Sequence, residues 1–378
     1  MADDPSSSGS PAARTFLAFA PMLRAVGIAS DAKKLILAAA GLALLCGGWW
    51  GIARAFGDHA PLPILPGSPL AIGAGTPEGW SYALARRVAE PARAVVAPFA
   101  DLLSPRPAGA AVGLQSALMG LWALIVWGIF GGAIARIAVV QAACGRRIGI
   151  GSAVRFAFRK AGSLIGAPLI PFLAVILFIA ANAALGLVSR IPGGVGPTVV
   201  AVLGFIPIAL GMVTALILLG LALGWPLMHV TIAAEDEDAP DALSRSYSYV
   251  NQRFFRYAIH VALAWGIGMV GLFLAAQFAR FVLHLAGWSV ALGASANPDV
   301  PPSARSIADG WAYLVALLLH GWAYSYFWSA ASILYLILRR DVDGKEWDDV
   351  ALPEHEGDRF AAEPASTPEP APAVEATA

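Results

Sequence analysis

Hydrophobic positions along this 378-residue chain gather into long uncharged windows separated by short polar stretches. A helix that spans a bilayer needs about 20 mostly apolar residues. Residues 35–53, enclosed by Lys34 and Arg54, form the first such window. Helical spans are expected next at 112–135, 164–188, 257–279 and 310–338. The window at 191–234 holds a Gly/Pro-rich run from Pro192 to Pro197, which breaks a helix. The remainder is shorter than the roughly 42 residues that two spans and a turn require. One long tilted helix is therefore expected there, kinked at Pro207 or ended near Pro226. The pattern predicts six spans.

Polar stretches divide the rest. Residues 1–34 read as a cytoplasmic segment, with a disordered start and an interfacial helix over 15–28. Residues 35–340 form the six-span membrane domain. Its external loop is 57–110, and its cytoplasmic elbows are 136–163 and 235–256. Within the loop, Trp80, Leu84 and Val88 recur at helical spacing, so 78–90 is expected to be an amphipathic helix lying along the outer surface. A second external loop is expected at 286–308. Residues 341–378, rich in acids, Pro and Ala, read as a disordered cytoplasmic tail.

Composition agrees with this pattern. Hydrophobic residues make up 58% and charged residues 13% of the chain, with a mean hydropathy of +0.68. A soluble domain carries about 25% charged residues. Twenty-five Lys and Arg balance 25 Asp and Glu, so no basic excess points to nucleic acid. Two cysteines are too few for a disulfide framework or a Cys-based zinc site. With both termini inside, 17 Lys/Arg fall on the cytoplasmic side and 8 outside, as the positive-inside rule favours. Arginine far outnumbers lysine and alanine is abundant, which fits a GC-rich bacterial genome and an inner-membrane location.

The elbows look alike. Ser152-Ala-Val-Arg-Phe-Ala-Phe aligns with Asp241-Ala-Leu-Ser-Arg-Ser-Tyr, each with a capping residue ahead of an Ala-aliphatic pair. Each is expected to hold a short interfacial helix, and together they suggest a parallel internal repeat. The fold class expected is an all-α integral membrane bundle of about six transmembrane helices.

The second elbow carries the pattern Glu-x(5)-Asp-Ala-Leu-x-x-Ser-x-x-Tyr-Val, from Glu235 to Val250. It resembles the elbow of a broad group of uncharacterised bacterial multi-pass proteins related to the glycerophosphodiester phosphodiesterase membrane domain. The resemblance implies a membrane helical bundle. In the fused members a separate soluble domain does the chemistry; this chain has no such domain, so no catalytic residue carries over.

Candidate chemistry is sparse. Gln277 and Arg280 in the fifth span sit at the depth of His320 and Tyr324 in the sixth if the two form a symmetric hairpin. A polar cluster of these four is expected near the outer interface. Arg146, Arg147, Arg155, Arg159 and Lys160 make the first elbow basic, suited either to anionic lipid headgroups or to pairing with the acids Glu235–Asp238 of the second. His229 and His260 alone make a weak metal signal, which only the acids Glu235–Asp238 could complete. The Asp341–Asp349 stretch lacks the ligand spacing of a calcium loop. No phosphate loop, nucleophile elbow or zinc-protease motif is present, so no cofactor and no enzymatic activity is expected. Small-residue faces at Gly47/Gly51, Gly128/Gly132 and Gly220/Gly224 predict close helix contacts. The function expected is a non-enzymatic membrane protein that organises lipids or a protein partner at its cytoplasmic face. The alternative is a transporter or channel.

Overall fold

The computed structural model describes residues 11–57, 77–103, 110–293 and 302–352. The disorder expected of the first ten residues and of 353–378 falls outside the described residues. So does the side chain of Trp80. Twelve helices follow in order: α1 (Pro11–Ala29), α2 (Ala32–Ala55), α3 (Pro77–Val88), α4 (Glu90–Leu102), α5 (Ala110–Cys144), α6 (Ile150–Arg159), α7 (Ala161–Val188), α8 (Val195–Val202), α9 (Phe205–Glu235), α10 (Ala239–Gln252), α11 (Phe254–Gly293) and α12 (Pro302–Asp343). All twelve elements are α-helical.

Five of them, α2, α5, α7, α9 and α11, are long and apolar enough to cross a membrane. The protein is a membrane-embedded helical bundle. The sixth expected span, 310–338, falls in α12, which is not among those five. Residues 319–339 are buried almost throughout, packed on α1, α2, α5 and α11. A buried helix can carry hydroxyls that satisfy themselves. Ser329 and Ser332 donate to the Ser325 and Trp328 carbonyls one turn back, both at 2.8 Å. Ser325 instead donates to the Ala29 carbonyl of α1 at 2.7 Å.

That last bond corrects the expectation for the N-terminal segment. α1 is part of the bundle rather than an interfacial helix. Met22, Ala25 and Ala29 are fully buried, and the Trp322 indole donates to the Ser30 hydroxyl at 3.1 Å. α2 starts from Asp31, which caps it by accepting from the Lys33 N–H at 3.0 Å. Lys34 is buried, donating to Gln141 of α5 at 2.6 Å and pairing with Asp31 at 3.6 Å.

The Gly/Pro-rich run makes the expected break. Gly193 and Gly194 take φ of 81° and 79°, open to glycine but strained for other residues. A short α8 precedes one long α9, which runs through Pro226 without ending. The distal halves of α7 and α9 expose apolar side chains, among them Leu177, Ile208 and Leu216. So does the distal half of α11, with Phe278, Phe281 and Trp288. Helix also continues to Gly293 and resumes at Pro302, so the second expected loop is shorter than 286–308.

Both elbows hold a short helix that packs on the long helix before it, α6 on α5 and α10 on α9. Each is capped three residues before the expected position. Gly149 and Asp238, in extended conformation, stand at the cap positions instead of Ser152 and Asp241.

The segment after α12 is a further correction. Residues 344–352 fold against the bundle rather than forming a free tail. Arg339 donates to the Asp349 carbonyl at 2.7 Å and the Glu346 carbonyl at 2.5 Å. The Ala351 N–H donates to the Ala234 carbonyl at 2.9 Å, and Val350 is buried.

Candidate functional site: two grooves around α9

The loop expected to lie on the outer surface folds into the bundle at its described part, 77–103. Leu84, Val88, Pro91, Ala94, Val95 and Pro98 are buried along one face of α3 and α4. Their spacing continues one helical stripe across both helices. The two are separated only by Ala89, whose backbone stays in the right-handed helical region. Pro91 has no N–H to give the Arg87 carbonyl, which breaks the ladder there. α3 packs on α11 and α12, and α4 packs on α5, so the pair bridges the two sides of the bundle. The Trp265 indole of α11 donates to the Ala85 carbonyl at 3.2 Å. Gly268 of α11 leaves room for Val88, which a Cβ there would meet at 2.9 Å.

The bridge carries two charges inward. The Arg87 guanidinium meets Nε2 of His320 on α12. His320 Nδ1 lies 3.0 Å from the Ala316 carbonyl. Nδ1–H donates there, so Nε2 is the acceptor that receives Arg87. Arg87, Glu90, His320 and Tyr324 line one very small cavity with Leu272, Leu319 and Ala323. Tyr324 stacks on Trp127 of α5 with centroids 4.4 Å apart and planes 13° apart.

Two of the four residues expected to cluster are therefore together, and two are elsewhere. The expected pairing of levels between α11 and α12 is present: Gly268 faces Tyr326 and Gly271 faces Trp322. At that depth, however, Leu272 and Ala276 take the inward face. Gln277 is exposed and accepts from Arg280 at 3.2 Å. Both line an open surface depression with Phe281, Leu283 and His284, away from His320. Equal depth fixes the level of a residue but not which way it points. The missed partners are Arg87 and Glu90, and their sequence signal is two charges set beside the apolar stripe of 84, 88, 91 and 95.

Two apolar grooves flank α9 beside this bridge. One, of about 380 Å³, lies among α4, α5, α7 and α9, between Val95, Phe99, Leu124, Phe172, Leu221 and Trp225. The other, of about 300 Å³, lies among α9, α11 and α12, between Val88, Leu223, Pro226, Val261, Tyr326 and Phe327. Ala222 and Trp225 line both. α9 and α11 are joined beside the second groove where the Tyr257 hydroxyl donates to the Leu223 carbonyl at 2.6 Å. The volumes lie at the lower end of the range of ligand pockets, roughly 300–1,000 Å³. Their walls offer almost no polar atom to orient a polar solute.

The charged elbows meet. Arg159 pairs with Asp236 at 3.0 Å, and Lys160 pairs with Asp236 and Asp238, both at 3.3 Å. Arg146, Arg147 and Arg155 are exposed. Glu235 turns inward to Arg339 at 2.8 Å and Lys345 at 2.9 Å. Arg245 pairs with Glu237 at 2.5 Å. Burial raises the Glu237 carboxyl above its ordinary value, with Arg245 opposing it. Of the Glu235–Val250 pattern, Ala242, Ser246, Tyr249 and Val250 are buried, so this pattern packs the elbow.

Among the described residues, no group of three or more His, Cys, Asp or Glu side chains converges on a metal position. No protein-family model matches the chain. No curated protein and no solved structure is significantly similar to it.

Proposed function

We propose that this chain is a non-enzymatic membrane protein that holds lipid in the grooves beside α9. The observation that carries the reading is the pair of apolar grooves, of about 380 and 300 Å³, that share Ala222 and Trp225. In a bilayer such walls face acyl chains rather than water, so the gain is close van der Waals packing of a chain seated in the groove. They fit an acyl chain rather than a polar solute. The distribution of Lys and Arg favours both termini in the cytoplasm, and the excess of arginine over lysine fits a bacterial inner membrane. The paired elbows would then face the cytoplasm, where Arg147 and Arg155 are exposed to anionic headgroups or to an acidic protein partner. The similar packing of α6 on α5 and of α10 on α9 supports a duplicated unit.

Native mass spectrometry of the chain extracted gently from its own membrane tests the reading. Phospholipid retained on the protein is expected. A stoichiometric protein partner with no retained lipid would replace it with a scaffolding role.

One observation favours a second reading, transport of a small solute. Arg87, Glu90, His320 and Tyr324 place ionisable groups inside the bundle, where they are costly and mark solute paths in other membrane proteins. Solute flux into liposomes that is lost in Arg87→Ala would establish it.

A further inference from the structure

We propose that the groove among α9, α11 and α12 takes one acyl chain of an anionic phospholipid, with Arg253 and Arg256 meeting its phosphate. This rests on the lipid-holding reading and adds the headgroup class.

Along α11 the groove lining runs from Tyr257 to Trp265, a rise of about 12 Å. Val88 and Ala89 of the bridge also line it, on the side where the Trp265 indole donates to the Ala85 carbonyl. Its end at Tyr257 and Leu334 lies beside the second elbow. Arg253 stands one turn before Tyr257, and its carbonyl accepts the Tyr257 N–H at 2.8 Å. Arg256 pairs with Asp341 of α12 at 2.7 Å, and Arg253 donates to the Asp341 carbonyl at 3.3 Å. Asp341 thus holds two guanidiniums at the same end of the groove.

Charge at this end favours an anion. Arg245 is turned to Glu235 and Glu237, and Asp343 accepts from the Tyr249 hydroxyl. A tyrosine hydroxyl leaves the Asp343 charge in place, so at this end Arg245, Arg253, Arg256, Arg339 and Lys345 stand against Glu235, Glu237, Asp341 and Asp343, an excess of one positive charge. A guanidinium has five N–H donors, and the fork matches phosphate oxygens two at a time. The Arg256 side chain is 48% exposed, so donors remain for a ligand. Phe254 and Phe255 stand between the two arginines in the chain, with 46% and 81% exposure. Aromatic rings beside arginines suit the boundary between headgroups and chains.

The test uses the full chain in detergent with equal amounts of phosphatidylglycerol and phosphatidylcholine of identical chains. Native mass spectrometry reads the ratio retained. An excess of phosphatidylglycerol is expected, falling about five-fold in Arg253→Gln, the attraction one arginine supplies near an anionic surface. Glutamine can still donate to the Asp341 carbonyl, and the Arg256 pair is untouched. Raising the salt should erode the excess in the unaltered chain, which needs no variant to fold. Ala264→Phe, which fills the groove, should displace the lipid. Equal retention of the two lipids overturns the headgroup assignment and leaves the lipid-holding reading standing. An excess that survives Arg253→Gln, high salt or Ala264→Phe also overturns it. Retention of neither lipid removes both.

Discussion

The carboxylate of Glu235, the last residue of α9, accepts from the Arg339 guanidinium of α12 at 2.8 Å, and the Arg339 side chain has no exposed surface. The same carboxylate takes Lys345 at 2.9 Å, Tyr335 at 3.1 Å and Arg245 at 3.5 Å. One acid therefore ties α9, α10, α12 and the segment after α12 together. Removing one partner of a buried pair strands the other charge, at a cost of about 3–5 kcal/mol. Glu235→Ala is expected to lower the thermal unfolding midpoint in detergent sharply, while Asp238→Ala, at an exposed pair, changes it little. Equal midpoints for the two variants would remove Glu235 from this role.

Glycine contacts give a sharper contrast between neighbours. A Cβ on Gly48 would lie 1.9 Å from the Trp122 indole, which donates to the Leu44 carbonyl at 3.1 Å. Gly47 has nothing within 4 Å. Gly48→Ala should cost about 1–3 kcal/mol through overpacking. Gly47→Ala should be neutral or stabilising by up to about 1 kcal/mol, the helix preference of alanine over glycine. Unfolding of the two variants side by side checks the difference.

Placement of the polar residues makes opposite predictions for two arginines. Arg280, on the open face of α11, should tolerate Ala within about 0.5 kcal/mol. Arg87→Ala leaves His320 without its donor inside the bundle and should cost about 1–3 kcal/mol. Stability that falls more for Arg280→Ala than for Arg87→Ala would contradict this arrangement.

Asp31 supplies a pH dependence. Burial opposes its charge, but the Lys33 N–H and the charges of Lys34, Lys33 and Arg147 outweigh that and hold its carboxyl below the ordinary range. A carboxyl lowered in the fold adds stability above its unfolded value, about 3.9, and that stability is lost as pH falls through the folded value. Asp31→Asn should therefore be less stable than the unaltered chain at pH 7, with the gap closing below about pH 4. A gap that is constant from pH 7 to pH 3 would show that the Asp31 charge contributes nothing.

Much of the fold was legible because lipid imposes a simple rule: long uncharged windows become helices. The break at Pro192–Pro197 and the single long α9 follow from backbone chemistry alone. The pairing of Arg159 and Lys160 with Asp236 and Asp238 was visible as opposite charge on two elbows. Two of the three small-residue faces make close contacts, Gly128 and Gly132 against Ile165 and Leu164, and Gly220 against Tyr247. The third is displaced by one residue, from Gly47 to Gly48, because composition marks a helix but not the side that meets a neighbour. The same ambiguity separated Gln277 and Arg280 from His320. α1 and the α3–α4 bridge read as surface elements in the sequence because their stripes are short and mixed with charge. The burial of α1 and α3 depends on α11 and α12, more than 160 residues away in the chain, while α4 packs on α5. No local pattern records that distance.

The claim that lipid occupies the grooves is tested most directly at Ala222, which lines both and is itself exposed. Phospholipid carried per chain after repeated detergent washing is the quantity to measure, in the unaltered protein and in Ala222→Trp. Retained lipid in the first, reduced in the second at an unchanged unfolding midpoint, is the predicted result. An equal load in both, or none in the unaltered protein, would contradict it.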